Sequence, residues 1–322
     1  MSAPAAPAMS VVVMTQDRYD ALRKTVRHLR AQKGRERLEI VVVAPARPTL
    51  GLDETELSAF WGHRVVEVGD MSSTPRARAI AVRHATAPVV AFVEEHAYPA
   101  PGWAEALIVA HRDDWAAVGP TMANANPHSL VSWANFIIEY GPWSEPAAGG
   151  PAEHLPGHNC SYKRALLLEY GSRLEGMLDA ESLLHWDLRA KGHRLRLDPD
   201  ARIFHQNFTA IRPSLTLRFH GGRLFAASRA RGWSRWRRLL YGGAGCLIPV
   251  VRGARIAREL RRPGRPRHLL PRILPALLGG LVVDAAGEMV GYSFGDGNAR
   301  ARLGDMEFHR ERYVKARGAT PP

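Results

Sequence analysis

Val89-Val90-Ala91-Phe92-Val93-Glu94-Glu95-His96 is an apolar run that stops at two carboxylates and an imidazole, and Ala97-Tyr98-Pro99-Ala100-Pro101-Gly102-Trp103 follows it. A short continuous apolar run bounded by polar residues reads as a strand covered on both faces, the pattern of parallel sheets. In open α/β sheets the ligand crevice lies outside the carboxyl ends of the strands, so charged groups delivered there mark a candidate site. The two prolines, Gly102 and Trp103 then turn the chain into a new helix.

Working back toward the N-terminus, Ser10 to Met14 is a β-branched strand, and Thr15-Gln16-Asp17-Arg18 is a polar turn. Tyr19 to Gln32 carries Leu22, Val26 and Leu29 at helical spacing. Leu38 to Val43 is a second apolar strand, closed by Ala44-Pro45. Strand, helix and strand at this spacing form a βαβ unit. His63 to Val68 predicts a third strand, Pro75 to His84 a helix, and Pro88 to Val93 the fourth strand. The first hundred residues therefore form a nucleotide-binding type of α/β half.

Working forward, Trp103 to Arg112 predicts a helix and Ala116 to Gly119 a strand. Asn124 to Pro156 is irregular and is expected to be a functional loop or lid. Leu155 to Arg164 leads into a helix over Ala165 to Tyr170. Asp179-Ala180-Glu181-Ser182 precedes a helix over Leu183 to Lys191 that Gly192 stops. Arg194 to Leu197 and Ala201 to Phe204 read as two short strands, and His205 follows the second at once.

Charge divides the chain. Residues 1–211 hold 22 Lys plus Arg against 24 Asp plus Glu, whereas residues 212–322 hold 22 against 7, so the net +13 belongs to the C-terminal third. Between Arg212 and Arg267 there are fifteen arginines and one acid, Glu259, interleaved with Phe219, Phe225, Trp233, Trp236 and Tyr241. Such a segment seeks a polyanion, either an anionic membrane surface or nucleic acid. No recognition motif accompanies the charge, which argues against nucleic acid. A third reading is a packed helical appendage with a basic solvated face. His268 to Phe294 is apolar but interrupted by Pro271, Arg272, Pro275, Asp284 and Glu288, and its longest clean piece, Ala276 to Val283, is shorter than the roughly 20 residues of a membrane span. Interfacial contact is expected there instead. Cys160 and Cys246 are too few for a disulfide framework and lack zinc spacing, so a reducing cytosol is expected. Met1 to Met9, rich in Ala and Pro, is expected to be a disordered tail with no secretion signal.

With these elements placed, the sequence resembles the family-two inverting glycosyltransferases of the GT-A fold. Ser10 to Arg18 looks like that family's opening strand and nucleotide-contacting turn. Ala77-Arg78-Ala79, seventeen positions before Glu94, sits where the family has its Ala-Arg-Asn helix start, and Glu94-Glu95-His96 falls on its Asp-x-Asp position. Pro101-Gly102-Trp103 matches the turn after it. Glu181, eleven residues before Gly192, falls on the acidic site of the catalytic base, and Leu195 to His205 matches the strand pair that ends the core. The resemblance covers residues 10 to about 210. A subgroup with Glu-Asp-His at the metal strand, an Asn-x-Ser-Tyr-Lys-Arg segment and a basic, semi-hydrophobic tail looks similar over nearly the full length. Departures are Val43-Ala44-Pro45, where the family often has a base-contacting Asp, Glu and His in place of aspartates, and Ala180 where an acid commonly precedes the base.

The resemblance implies a doubly wound, mixed but mostly parallel sheet flanked by helices, over residues 10–211, with an Arg-rich helical region at 212–322. It implies a nucleotide-diphospho-sugar donor and Mg2+ or Mn2+, the latter more tolerant of imidazole. Glu94, Glu95, His96 and His205 are the candidate metal ligands; the bland reading is that they solvate and cap strand ends. Glu181 is the candidate general base with Asp179 as alternate, against plain helix capping, which would also lower the pKa of the acid. Thr15, Asp17, Arg76, Arg78, Glu94 and Asn159 are candidates for holding the donor, with His158 and Lys163 nearby, although Asp17 also suits turn chemistry and Arg76 a solvated surface. The expected activity is transfer of a sugar to a lipid-linked or surface-glycan hydroxyl at the inner face of the cell membrane. The rivals are a nucleotidyltransferase, which would favour a Gly-rich loop that Thr15 to Arg18 lacks, and an inactive membrane-bound scaffold.

Overall fold

In a computed structural model, the structure describes residues 6–314, so most of the expected N-terminal tail and the last eight residues lie outside it. The chain divides into two compact units: residues through Ala123 with Ala147–Phe204, and Asn124–Pro146 with His205 onward. The first is built on a nine-stranded sheet in the order β3-β2-β1-β4-β8-β6-β9-β5, with β7 paired to β9. Its strands are β1 (Met9–Met14), β2 (Leu38–Ala44), β3 (Gly62–Glu67), β4 (Val89–Phe92), β5 (Ala97–Pro99), β6 (Trp115–Asn124), β7 (Gly150–Ala152), β8 (Ser161–Lys163) and β9 (Arg194–His205).

The sheet is mixed. β1 runs parallel to β2 and β4, and β2 parallel to β3, while β8 is antiparallel to β4 and β6. Every residue of β1, β2 and β4 is buried, as continuous Val and Ile runs require when helices cover both faces. Helix Tyr19–Arg30 supplies one such cover through Tyr19, Leu22, Val26 and Leu29. Its Thr25 hydroxyl also donates to the carbonyls of Glu95 (2.7 Å) and Ala97 (3.2 Å), tying down the turn that follows β4. Helix Thr74–His84 starts at Ser73, whose hydroxyl accepts from the Arg76 amide, with Pro75 in the first turn.

Four expectations need correction. β1 begins at Met9, inside the expected tail, because Met9 pairs with Leu38 and Val89 and is buried. The Asn124–Pro156 stretch is not structureless: Leu130–Tyr140 is a helix, capped by the Ser129 hydroxyl and carrying buried Ala134, Phe136, Ile137 and Ile138. β9 is one strand of twelve residues rather than two, with Pro199 at an exposed position in it. Glu181 is the first residue of helix Glu181–Ala190, not outside it.

In the second unit, helix Leu130–Tyr140 groups with Ile211–Arg229, Arg235–Gly243, Ile248–Leu260, Leu270–Phe294 and Ala299–Phe308. The residues that interrupt the apolar run all lie within one helix, Leu270–Phe294. Pro271 falls in the first turn, where amides have no helical partner, and the Arg252 guanidinium pairs with Asp284 and, at 3.6 Å, with Glu288. By length and composition it is the one helix among the described residues that could cross a membrane. Its contact with Ile211–Arg229 depends on small residues. A Cβ on Gly287 would stand 2.1 Å from the Phe219 carbonyl, and one on Gly291 2.3 Å from that of Arg223.

Gly287→Ala must therefore push two helix backbones apart. We expect a loss of about 1–3 kcal/mol in chemical denaturation, the usual cost of overpacking. Unchanged stability would show that the two helices do not pack at this distance.

Candidate active site

The site begins where β4 ends. Val93 leaves the sheet, the chain turns at Glu94, with the Ala97 amide bonded to the Glu94 carbonyl at 3.0 Å, and β5 carries it away. Within this turn the His96 Nε2 lies 3.7 Å from the Glu94 carboxylate, and its Nδ1 lies 3.6 Å from that of Glu95. His205 is the last residue of β9 and is fully buried. One ligand atom each from Glu94, His96 and His205 lie within 4.8 Å of one another. A carboxylate oxygen and two imidazole nitrogens form a donor set that suits a divalent cation tolerant of nitrogen, Mn2+ before Mg2+. Glu95 is not one of these three.

A second cluster surrounds Glu181. Its carboxylate accepts from Arg78 at 2.6 Å and lies 2.9 Å from His158 Nδ1, with both the Arg78 and Glu181 side chains over nine-tenths buried. Gly157 makes room for it: a Cβ there would fall 2.4 Å from the Glu181 Cβ. Arg78 also lies over the Phe92 ring at 5.6 Å, the last residue of β4.

Burial by itself would raise the Glu181 carboxyl, but the His158 charge and hydrogen bond, followed by the Arg78 charge, overcome it and hold the pKa down at about 2. Burial, the largest single effect, would lower His158, and the Arg78 charge acts the same way, yet the Glu181 charge and hydrogen bond together with the Glu94 charge outweigh them and lift the imidazole to about 9. The His158 side chain keeps 44% of its surface exposed, so water screens part of this coupling.

One short segment joins the two clusters. In the 3-10 turn Gly157–Asn159, His158 faces Glu181 while Asn159, fully buried, donates to the Glu94 carboxylate at 2.7 Å and accepts from the Glu94 amide at 3.3 Å. Asn159 thus reaches the site through Glu94.

The other expected residues are placed less tellingly. Thr15 is buried and its hydroxyl accepts from the Asp17 amide at 3.1 Å, the ST-turn chemistry of a strand end, while Asp17 is exposed. Arg76 is exposed on the first turn of its helix. Asp179 is half-buried two residues before helix Glu181–Ala190. Lys163 is committed to Asp114 at 3.3 Å. Two residues near Glu181 carried no sequence signal for this place. His185, one turn on in the same helix, meets the Tyr162 hydroxyl at 2.9 Å, and burial drops its pKa to about 4.

Known proteins are similar to this chain over parts of its length. A sequence model described as Glycosyl transferase family 2 matches residues 10–171, which include Arg78, Glu94, His96 and Asn159 but stop short of Glu181 and His205. Proteins described as pre-mycofactocin glycosyltransferases of Mycobacterium tuberculosis, strains CDC 1551 / Oshkosh and ATCC 25618 / H37Rv, are 27% identical over 237 residues, covering 62% of this chain and 49% of theirs. The chain spans about half the length of these curated relatives. Among solved structures, GalNAc-T7 with UDP, GalNAc and Mn2+ aligns with 62% of this chain and 43% of its own at a TM-score of 0.47 and 15% identity. TarS 1-349 of S. aureus in complex with UDP aligns with 88% of this chain and 90% of its own at 0.45 and 17%.

The two charges support folding in different pH ranges. Glu181 contributes above its ordinary 4.5 and loses its contribution as pH falls toward about 2; His158 contributes below 6.5 and loses it as pH rises through about 9. In NMR titration His158 should stay protonated well above pH 7. In Glu181→Gln, where burial and Arg78 act against the imidazolium, it should titrate below 6.5. An ordinary midpoint in both proteins would contradict the contact.

Proposed function

Because the chain belongs to glycosyl transferase family 2, we propose that it transfers a sugar, with inversion, from a nucleotide-diphospho-sugar to an acceptor hydroxyl. The observation that carries the reading is the buried, ionised Glu181 carboxylate beside Arg78, linked through His158 and Asn159 to Glu94. A single carboxylate near the acceptor suffices for one in-line displacement, taking the hydroxyl proton as the new bond forms.

A carboxylate held near 2 is a weak base, and it serves here because the attacking oxygen becomes strongly acidic only once it bonds to the oxocarbenium-like carbon. Arg78 has a second use. Its guanidinium, beside Glu181, would also bind the donor diphosphate. A divalent cation held by Glu94, His96 and His205 would neutralise the departing diphosphate. Asn159 would keep the Glu94 carboxylate in place for that ligation. Thr15, Asp17 and Arg76 are assigned to the nucleotide side of the site, and Asp179 is the alternate base.

The acceptor we assign is lipid-linked or part of a surface glycan, with the protein lying on the inner face of the cell membrane. Support comes from the second unit's exposed apolar side chains, Trp236, Leu240, Leu247, Val250 and Val251, set among exposed Arg235, Arg237, Arg255 and Arg258. An anionic leaflet adds about 1 kcal/mol per nearby arginine.

Incubation with a panel of sugar nucleotides and Mn2+ should release nucleoside diphosphate in the presence of lipid-linked acceptor, with an inverted product anomer by NMR. Pyrophosphate release would instead indicate nucleotidyl transfer, no turnover a scaffold, a retained anomer a different mechanism, and preference for pre-mycofactocin a different acceptor. In co-sedimentation the protein should bind vesicles containing phosphatidylglycerol and not pure phosphatidylcholine, and Trp236→Glu with Leu240→Glu should reduce binding at least tenfold. Equal binding to both vesicle types would remove the membrane assignment.

A further inference from the structure

His205 sits in a buried polar network that the candidate chemistry does not by itself require. Its Nδ1 lies 2.9 Å from the Asn207 side-chain oxygen. The other end of that amide, Nδ2, meets two acceptors at 3.0 Å each: the carbonyl of His205 and the Asn124 side-chain oxygen. The Asn124 oxygen is itself identified by the Asn126 backbone amide, which donates to it at 3.1 Å, while the single Ser132 hydroxyl proton is shared between that oxygen at 2.9 Å and the Asn126 side-chain oxygen at 2.8 Å. The Asn207 backbone is fixed too, since its amide donates to the Asn126 side-chain oxygen at 2.9 Å and its carbonyl accepts from Asn126 Nδ2 at 2.6 Å. Asn207, Ser132 and His205 are 1%, 0% and 0% exposed.

The donor count leaves one solution. Turning the Asn207 amide over would set its oxygen against two other oxygens, so the oxygen must face His205, and an amide oxygen only accepts. His205 Nδ1 therefore carries the proton. In a neutral imidazole, Nε2 then holds the electron pair that a cation needs.

We propose that Asn207 is a positioning residue that fixes His205 as the Nδ1-protonated tautomer, so that Nε2 is presented as a neutral metal donor. The network runs from Ser132 on helix Leu130–Tyr140 through Asn124 to Asn207 and ends on the imidazole. No solvent rearrangement is needed to ready this ligand, because its orientation and tautomer are set by groups that are already bonded. The metal part of the inference rests on reading Glu94, His96 and His205 as a cation site; the tautomer does not.

The test separates the two. Long-range 1H–15N spectra of metal-free, 15N-labelled protein, with His205 assigned by its loss in His205→Gln, should show a protonated Nδ1 and an unprotonated Nε2. A protonated Nε2 overturns the proposal without any variant being made. In Asn207→Ala that folds by circular dichroism, the His205 signals should report a tautomer mixture, and Mn2+ affinity by calorimetry should fall about tenfold or more. Affinity within twofold of the parent overturns the positioning role. A protonated Nδ1 in a parent protein that binds no Mn2+ upholds the tautomer and removes the cation-site reading instead.

Discussion

Burial of the Glu181 carboxylate is the constraint around which the first unit's site is arranged. An ionised carboxylate out of water is tolerated only with charged or hydrogen-bonding partners at short range. Arg78 and His158 supply them at 2.6 and 2.9 Å. To deliver Arg78, helix Thr74–His84 must run directly ahead of β4 with its second turn facing inward. To deliver His158, the chain must make a 3-10 turn against the start of helix Glu181–Ala190, and Gly157 is the residue that allows so close an approach. Removing one partner would leave the remaining charge poorly compensated.

The same turn connects the carboxylate to the strand end. His158 and Asn159 are sequence neighbours that face different acids, so a shift of Gly157–Asn159 would disturb Glu181 and Glu94 together. Thr25 restrains the opposite side of the Glu94–His96 turn through two backbone carbonyls. Both carboxylates are thus oriented by rigid elements rather than by an exposed loop, which is what a reaction needing a fixed distance between leaving group and base demands.

Much of this was legible in the sequence. The Val and Ile runs of β1, β2 and β4 announced a covered sheet, and Glu94 and His96 were expected directly after β4, where the structure has them. The partnerships were not legible. Nothing in the spacing of Arg78 and Glu181, 103 positions apart, says that one neutralises the other, and nothing beside Asn159 says that it bonds the Glu94 carboxylate. The individual partners of the C-terminal arginines were not legible either. A charge count treats each as available to a polyanion, yet Arg218 is bound to Glu139 at 2.7 Å, Arg252 to Asp284, and Arg229 to the Tyr292 hydroxyl at 3.0 Å. The Arg252 pairing also accounts for two acids, Asp284 and Glu288, on an otherwise apolar helix. Helix Leu130–Tyr140 escaped because its signal lay between Pro127 and Pro142 in a stretch rich in turn formers.

The role of Glu181 is the point on which the account stands. Turnover and donor affinity of Glu181→Gln, measured in the same samples with the donor that the parent protein uses, test it most directly. The account predicts a fall in turnover of about 10²–10⁴-fold, the usual contribution of a general base, with donor affinity changed far less. Turnover within threefold of the parent would contradict it and leave Glu181 as a structural ion pair with Arg78 and His158.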